Sequence, residues 1–244
     1  KGNIYAQLFL SRLYEAGHLV PEDNNEAFRL CKLAAVAGYP EAQFHLGRFY
    51  AQGTGTEINL KETFRWTKLA AEQGFIDAQG QLANLYQFGY GIESNDEECF
   101  KWTKIVADQG DVVAAYWVGA FLIRGKGVEK NINEGIDWLK SASKKGSADA
   151  MLELGSIFAN GVAVSKDLKE AYKWYKLGAE NLNTGCQLTL GMMYAFKDET
   201  GVEQDFVSAL KWFFIAEKNS QPDELILLLQ QREMLGENNE NLHK

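Results

Sequence analysis

The sequence predicts an all-α fold, a solenoid of stacked helix–turn–helix units, and three observations carry that prediction. Gly38, Gly74, Gly110 and Gly146 stand 36 residues apart. A tryptophan column, Trp66, Trp102, Trp138 and Trp174, keeps the same step and continues at Trp212 after a two-residue insertion near Asp198. Within each unit the apolar residues recur at helical spacing, as in Ala42, Leu46, Phe49 and Tyr50, and show no strand-like alternation. A fixed period of this length marks a repeat architecture, in which one unit cannot bury its apolar face alone and stacking builds the core.

The units span residues 3–38, 39–74, 75–110, 111–146, 147–182 and 183–220. In each, the first helix carries an alanine position (Ala6, Ala42, Ala78, Ala114, Ala150, then Cys186), a leucine position and a tyrosine position. It ends at Gly17, Gly53, Gly89, Gly125 or Gly161, where a residue without Cβ accepts a left-handed cap at little cost. The second helix opens on Asp23, Asn59, Asn95, Asn131, Asp167 or Asp205. Three residues later stand Glu26, Glu62, Glu98, Glu134 and Glu170, which reads as the reciprocal arm of a capping box. The sixth unit has Ser208 there. Pro40 and Pro222 fall at helix starts, Pro21 in a loop, and none inside a helix. The tryptophans are expected to fill the space between helix pairs, and the small residues Ser11, Gly47, Ala83, Gly119, Gly155 and Gly191 to let helices approach closely. A capping helix is expected over 221–236, ahead of a disordered polar tail at 237–244.

A unit such as Ala42–Gln43–(two residues)–Leu46–Gly47–(two)–Tyr50–(two)–Gly53–Thr54–Gly55, followed by Trp66–(three)–Ala70–Ala71–(two)–Gly74, resembles the Sel1-like repeat, a relative of the tetratricopeptide repeat. The resemblance implies a right-handed α/α solenoid over about nine-tenths of the chain. Two departures stand out: Leu182 replaces the glycine between units, and Lys197 replaces the glycine within one. The resemblance also implies a non-enzymatic scaffold or adaptor that binds another protein on a concave side lined by first helices. A bacterial immunity protein that neutralises a secreted lipase toxin is one form of it, and a regulatory component of protein degradation is an alternative.

Composition narrows the partners. A formal charge of −8 argues against a general phosphate-backbone binder, so nucleic acid is not expected. No apolar run approaches the roughly 18 residues of a membrane span. The chain is read as a monomer that needs no cofactor or metal: its three histidines and three cysteines show no ligand spacing. Cys31, Cys99 and Cys186 share positions with alanine or threonine in other units and read as packing residues, and the disulfide that exported relatives carry within a unit has no cysteine pair here. The compartment stays open between the bacterial periplasm or secretion, with a signal already removed, and the cytoplasm.

The rival reading is an enzyme. Ser141–Ala142–Ser143–Lys144 fits the Ser-x-x-Lys pattern of penicillin-interacting enzymes, which would make Ser141 the nucleophile and Lys144 its base in a hydrolase or β-lactam-interacting protein. The partner motifs Lys-Thr-Gly and Ser-Asp-Asn are absent, and Ser141 shares a position with Leu33, Leu69, Ile105, Leu177 and Ile215, which predicts a hydroxyl turned into the core. No catalytic residue is therefore assigned.

Specificity is expected where the units differ. Three positions of the first helix, at i, i+3 and i+7, form one stripe away from the alanine–leucine–tyrosine face. Its candidate binding residues are Phe9, Arg12, His45, Arg48, Gln81, Asn84, Phe88, Trp117, Arg124, Glu153 and Phe196. Arginine with interleaved aromatics is the make-up of a protein-binding hot spot. Three arginines against one carboxylate point to an acidic or amphipathic segment of the partner, a toxin or enzyme among the candidates.

Overall fold

The computed structural model describes residues 3–161, 164–196 and 202–219. Among them it contains twelve α-helices. The first three pairs are α1 (Ile4–Ala16) with α2 (Asn24–Val36), α3 (Pro40–Gln52) with α4 (Leu60–Glu72), and α5 (Ile76–Phe88) with α6 (Asp96–Asp108). Then come α7 (Val112–Arg124) and α8 (Ile132–Lys144), followed by the pairs α9 (Ala148–Asn160) with α10 (Leu168–Glu180) and α11 (Thr184–Ala195) with α12 (Phe206–Asn219). They fall into two compact units, Lys1–Asn131 with α1–α7 and Ile132–Lys244 with α8–α12. The expected capping helix at 221–236 and the tail at 237–244 lie outside the described residues, as does Lys197.

The capping positions behave as expected on one side only. Asp23, Asn59, Asn95, Asp167 and Asp205 each accept from the amide three residues on, at 2.9–3.2 Å. The reciprocal arm is missing. The backbone N–H of each cap residue donates instead to a carbonyl on the partner first helix: Asp23 to Tyr14, Asn59 to Tyr50, Asn95 to Tyr86, Asn131 to Leu122, Asp167 to Phe158 and Asp205 to Tyr194. With that amide taken, the glutamate turns to neighbours on its own helix. Glu62 and Glu98 accept the indole N–H of Trp66 and Trp102 at 2.9 and 3.1 Å. Glu26, where the unit has no tryptophan, takes Arg29.

Trp66 and Trp102 are buried, while Trp138, Trp174 and Trp212 are half-buried. The small positions do permit close approach. A Cβ on Gly155 would strike the Tyr175 ring, one on Gly191 the Phe213 ring at 2.8 Å, and one on Gly47 the Thr67 hydroxyl at 2.9 Å. Cys31, Cys99 and Cys186 are buried free thiols, and burial pushes Cys31 and Cys186 up to about 12. That suits packing residues and not nucleophiles.

A second glycine position joins successive pairs in the first unit. Gly55, Gly91 and Gly127 adopt φ of 65°, 78° and 69°. A Cβ there would overlap the backbone carbonyl of Asn24, Leu60 or Asp96, the residue that opens the preceding pair's second helix. Leu19 holds the same place in the first pair and stands 93% exposed. Leu182 keeps the left-handed turn of the glycine that it replaces, at φ 64° and 71% exposed.

Candidate functional site

The stripe predicted on the first helices is exposed in large part. Phe9, Arg12, Asn84, Phe88, Trp117, Arg124 and Phe196 are exposed, and His45, Arg48, Gln81 and Glu153 are half-buried. Phe9 is 63% and Trp117 38% exposed, although Trp117 leans on Tyr116 and Phe121 at ring distances of 5.2 and 6.0 Å. Phe88 stacks on Tyr90 at 5.6 Å. Ala120, on the same stripe, is fully buried. Glu153 and Phe196 belong to the second unit. Phe196 is not on a helix. It caps α11 in an extended conformation, because no glycine follows to take the left-handed turn that ends the other first helices.

The charge balance expected of the stripe does not hold in three dimensions. Arg12 donates from Nη2 to Glu41 Oε1 at 2.6 Å and meets His45 Nε2 at 2.6 Å. Glu41 lies one turn before His45, so it shares the face that the i, i+3, i+7 spacing left it out of. Asp77 and Asp149 occupy the same position in later repeats. Within the first unit Glu41 and Asp77 thereby join this face, so its arginines do not stand without carboxylates. Burial raises Glu41, but hydrogen bonds from Tyr39, at 2.9 Å, and Arg12 outweigh it and hold the carboxyl below its usual range.

His45 is the most perturbed group on this face. Burial, aided by Arg12 and Arg48, pushes its pKa down to about 4. A neutral ring agrees with the geometry, since Nε2 can accept from Arg12 only when it carries no proton. The ring proton then sits on Nδ1, and Arg48 approaches that atom no closer than 3.5 Å.

Farther along the same unit, the face opens into a hollow of about 510 Å³ between α5 and α7, floored by α6. Gln81, Asn84 and Trp117, three of the predicted residues, line it together with Asp77, Gly80 and Asp111. Its origin lies at a repeat position outside the stripe. Gly80 stands where the other repeats carry Leu8, Phe44, Tyr116, Leu152 and Leu188. In the preceding repeat Phe44 packs on Phe75 at 5.4 Å. Here glycine replaces the first ring, Asp111 replaces the second, and the space stays open. A Cβ on Gly80 would meet nothing within 4 Å.

The structure corrects the reading of Ser141. Its side chain is exposed; the buried serine is Ser143, whose hydroxyl finds no partner. The buried stripe of the second helices runs through Thr63, Trp66, Thr67, Ala70 and Ala71, at i, i+3, i+4, i+7 and i+8, and position 69 lies about 60° beyond its edge at Trp66. Leu33 and Leu177 are exposed for the same reason. Exposure does not assemble a catalytic pair: no hydrogen bond joins Ser141 to Lys144 among the described residues, and those that line the shallow hollow at Ser141, Glu134, Asp137 and Trp138, all sit on α8. No group of three or more His, Cys, Asp or Glu side chains among the described residues could hold a metal ion. No helix among them is long and apolar enough to cross a membrane.

Comparison with known proteins bears on this geometry. The Sel1 repeat model matches six times, at residues 4–39, 40–75, 76–111, 112–147, 148–181 and 186–219. A Sel1 repeat protein from Oxalobacter formigenes is 34% identical, with 89% of each chain covered and a TM-score of 0.68. A protective antigen of uropathogenic Escherichia coli with the SLR fold is 28% identical over 90% of this chain, at a TM-score of 0.78. This chain spans about half of that protein, 47% of its length. An immunity protein from Pseudomonas aeruginosa, at 15% identity and a TM-score of 0.48, is too distant to bear on function. No match was found among curated protein sequences. With six family matches covering the twelve helices, and caps, glycines and tryptophans at the repeat positions, the chain belongs to the Sel1 repeat family.

Proposed function

We propose that this chain is a non-enzymatic scaffold that binds a partner protein on the first-helix face of α1, α3, α5 and α7. One observation carries the reading: Phe9, Phe88 and Trp117 are held out toward solvent on a face of otherwise folded helices. Large apolar side chains exposed on one face mark an interaction site more often than scattered surface. A rigid helical framework with neutral His45 clamped beneath Arg12 supplies the preorganisation that keeps ordering costs low.

The charge of the face favours a basic or amphipathic partner over the acidic one expected from the arginines. Arg12 is already occupied by Glu41, Asp77 and Asp111 border the hollow, and the chain as a whole carries −8. An immunity protein that blocks a basic secreted enzyme, a lipase toxin among them, is one form of this reading.

The test is affinity purification from the source organism with the full chain and with a Phe9→Ala/Phe88→Ala/Trp117→Ala variant in parallel. The expected result is an unchanged melting temperature and selective loss of one partner. Equal recovery by both proteins would overturn the reading. If Trp117→Ala lowers the melting temperature, Phe9→Ser/Phe88→Ser, which leaves the α7 contacts intact, decides the matter.

A further inference from the structure

We infer that the hollow at Gly80 is a receptor for one lysine or arginine side chain of the partner. This rests on the partner-binding reading of the same face and adds the chemistry of its anchor. Four features of the hollow argue for it. Its size, about 510 Å³, lies within the range of sites that enclose a ligand group. Its floor is apolar, from Ala83 and Val106, and suits the methylene stem of a long side chain. Its wall includes the exposed indole of Trp117, the ring that attracts a cation most strongly.

The fourth feature is charge without internal partners. Asp77 makes no hydrogen bond or ion pair with any described residue, and Asp111 spends only Oδ1, which accepts from the Ala114 amide at 2.7 Å. Gln81 and Asn84 add amide oxygens. No lysine or arginine lines the hollow, so the carboxylates face a space with no countercharge of the protein's own. A glutamate or phosphate would be repelled there. A purely apolar side chain would leave the carboxylates without a partner.

Gly80 is the permissive residue. Glycine inside a helix is destabilising relative to alanine, and no neighbour approaches closely enough to require it. The fold gains nothing from the glycine, whereas an incoming side chain gains the volume that Phe44 fills in the preceding repeat.

The test uses the full chain, labelled with ¹⁵N, and four sets of acetylated pentapeptides whose central residue is lysine, arginine, norleucine or glutamate, with flanking positions randomised. Backbone and indole N–H shifts of Gly80 and Trp117 are followed on titration. The lysine and arginine sets should move both signals and the other two should not. Asp77→Asn and Asp111→Asn should each weaken binding about fivefold, the size expected of one exposed ion pair. Gly80→Leu should abolish it while the protein stays folded, judged by its melting temperature. Equal binding of the norleucine set, preference for the glutamate set, no shift with any set, or full binding by Gly80→Leu would each overturn the inference. If partner recovery depends on Phe9 and Phe88 but not on Gly80, the face reading survives and this one fails. If it depends on none of them, both fail.

Discussion

The Trp102 indole N–H donates to the Glu98 carboxylate one turn upstream at 3.1 Å, and Trp66 makes the same bond to Glu62 at 2.9 Å. The glutamate expected to cap its own helix thus anchors the tryptophan that packs the repeat. A double-mutant cycle separates the two roles. Glu98→Ala should cost about 1 kcal/mol, and that cost should nearly vanish in a Trp102→Phe background. A cost that persists without the indole, by urea denaturation, would overturn the anchoring role. Trp102→Ala itself should cost about 3–5 kcal/mol, because it empties a buried site.

Leu182 holds φ 64° in a turn where other repeats use glycine, with its side chain 71% exposed. It contributes little burial to offset left-handed strain. Leu182→Gly should therefore raise stability by about 1 kcal/mol, seen as a higher melting temperature. A fall would mean that the leucine side chain supports the fold.

Gly91→Ala should do the reverse. Its added Cβ must enter the Leu60 carbonyl and also adopt φ 78°, so a loss of at least about 2 kcal/mol is expected. Leu19→Ala, at the equivalent place but with a side chain 93% exposed, should be close to neutral in the same chemical denaturation.

The depressed pKa of His45 predicts how stability responds to acid. The unfolded ring takes a proton near pH 6.5 while the folded one resists until about 4. Its contribution is complete above the unfolded value and is lost as pH falls through the window between the two. Wild-type protein should thus lose stability between pH 6.5 and 4.5, above the range where most carboxylates titrate, and His45→Gln should lose less. By NMR the His45 ring should stay neutral down to about pH 4; a midpoint near 6.5 would refute the buried, arginine-flanked geometry.

The six repeats, the all-α fold and the small positions were legible because each recurs: glycine, alanine and tryptophan at a constant step are hard to reconcile with any fold but repeated like units. The partners of the glutamates were not, since Glu62 and Glu98 have the spacing of a capping box whether or not the cap's amide is free. That amide goes to Tyr50 or Tyr86, a contact between helices that local spacing does not encode. Ser141 misled for a related reason: sharing a position with leucines placed it in the core, yet Leu33 and Leu177 are themselves exposed at the edge of the stripe. The face proposed for partner binding was half legible. Its exposed aromatics followed from helical phase, but Glu41 and Asp77 belong to it one turn earlier. The hollow is marked by what is missing at Gly80, and a missing side chain leaves no pattern of its own.

The glycines at 55, 91 and 127 give the stack a direction. Each rests on a carbonyl of the repeat that precedes it in the chain, never of the one that follows. A repeat therefore needs its N-terminal neighbour as a seat and asks nothing from its successor at this contact. During synthesis, which runs from the N-terminus, each seat is complete before its occupant emerges, so these repeats can be laid down one after another without waiting for the whole chain.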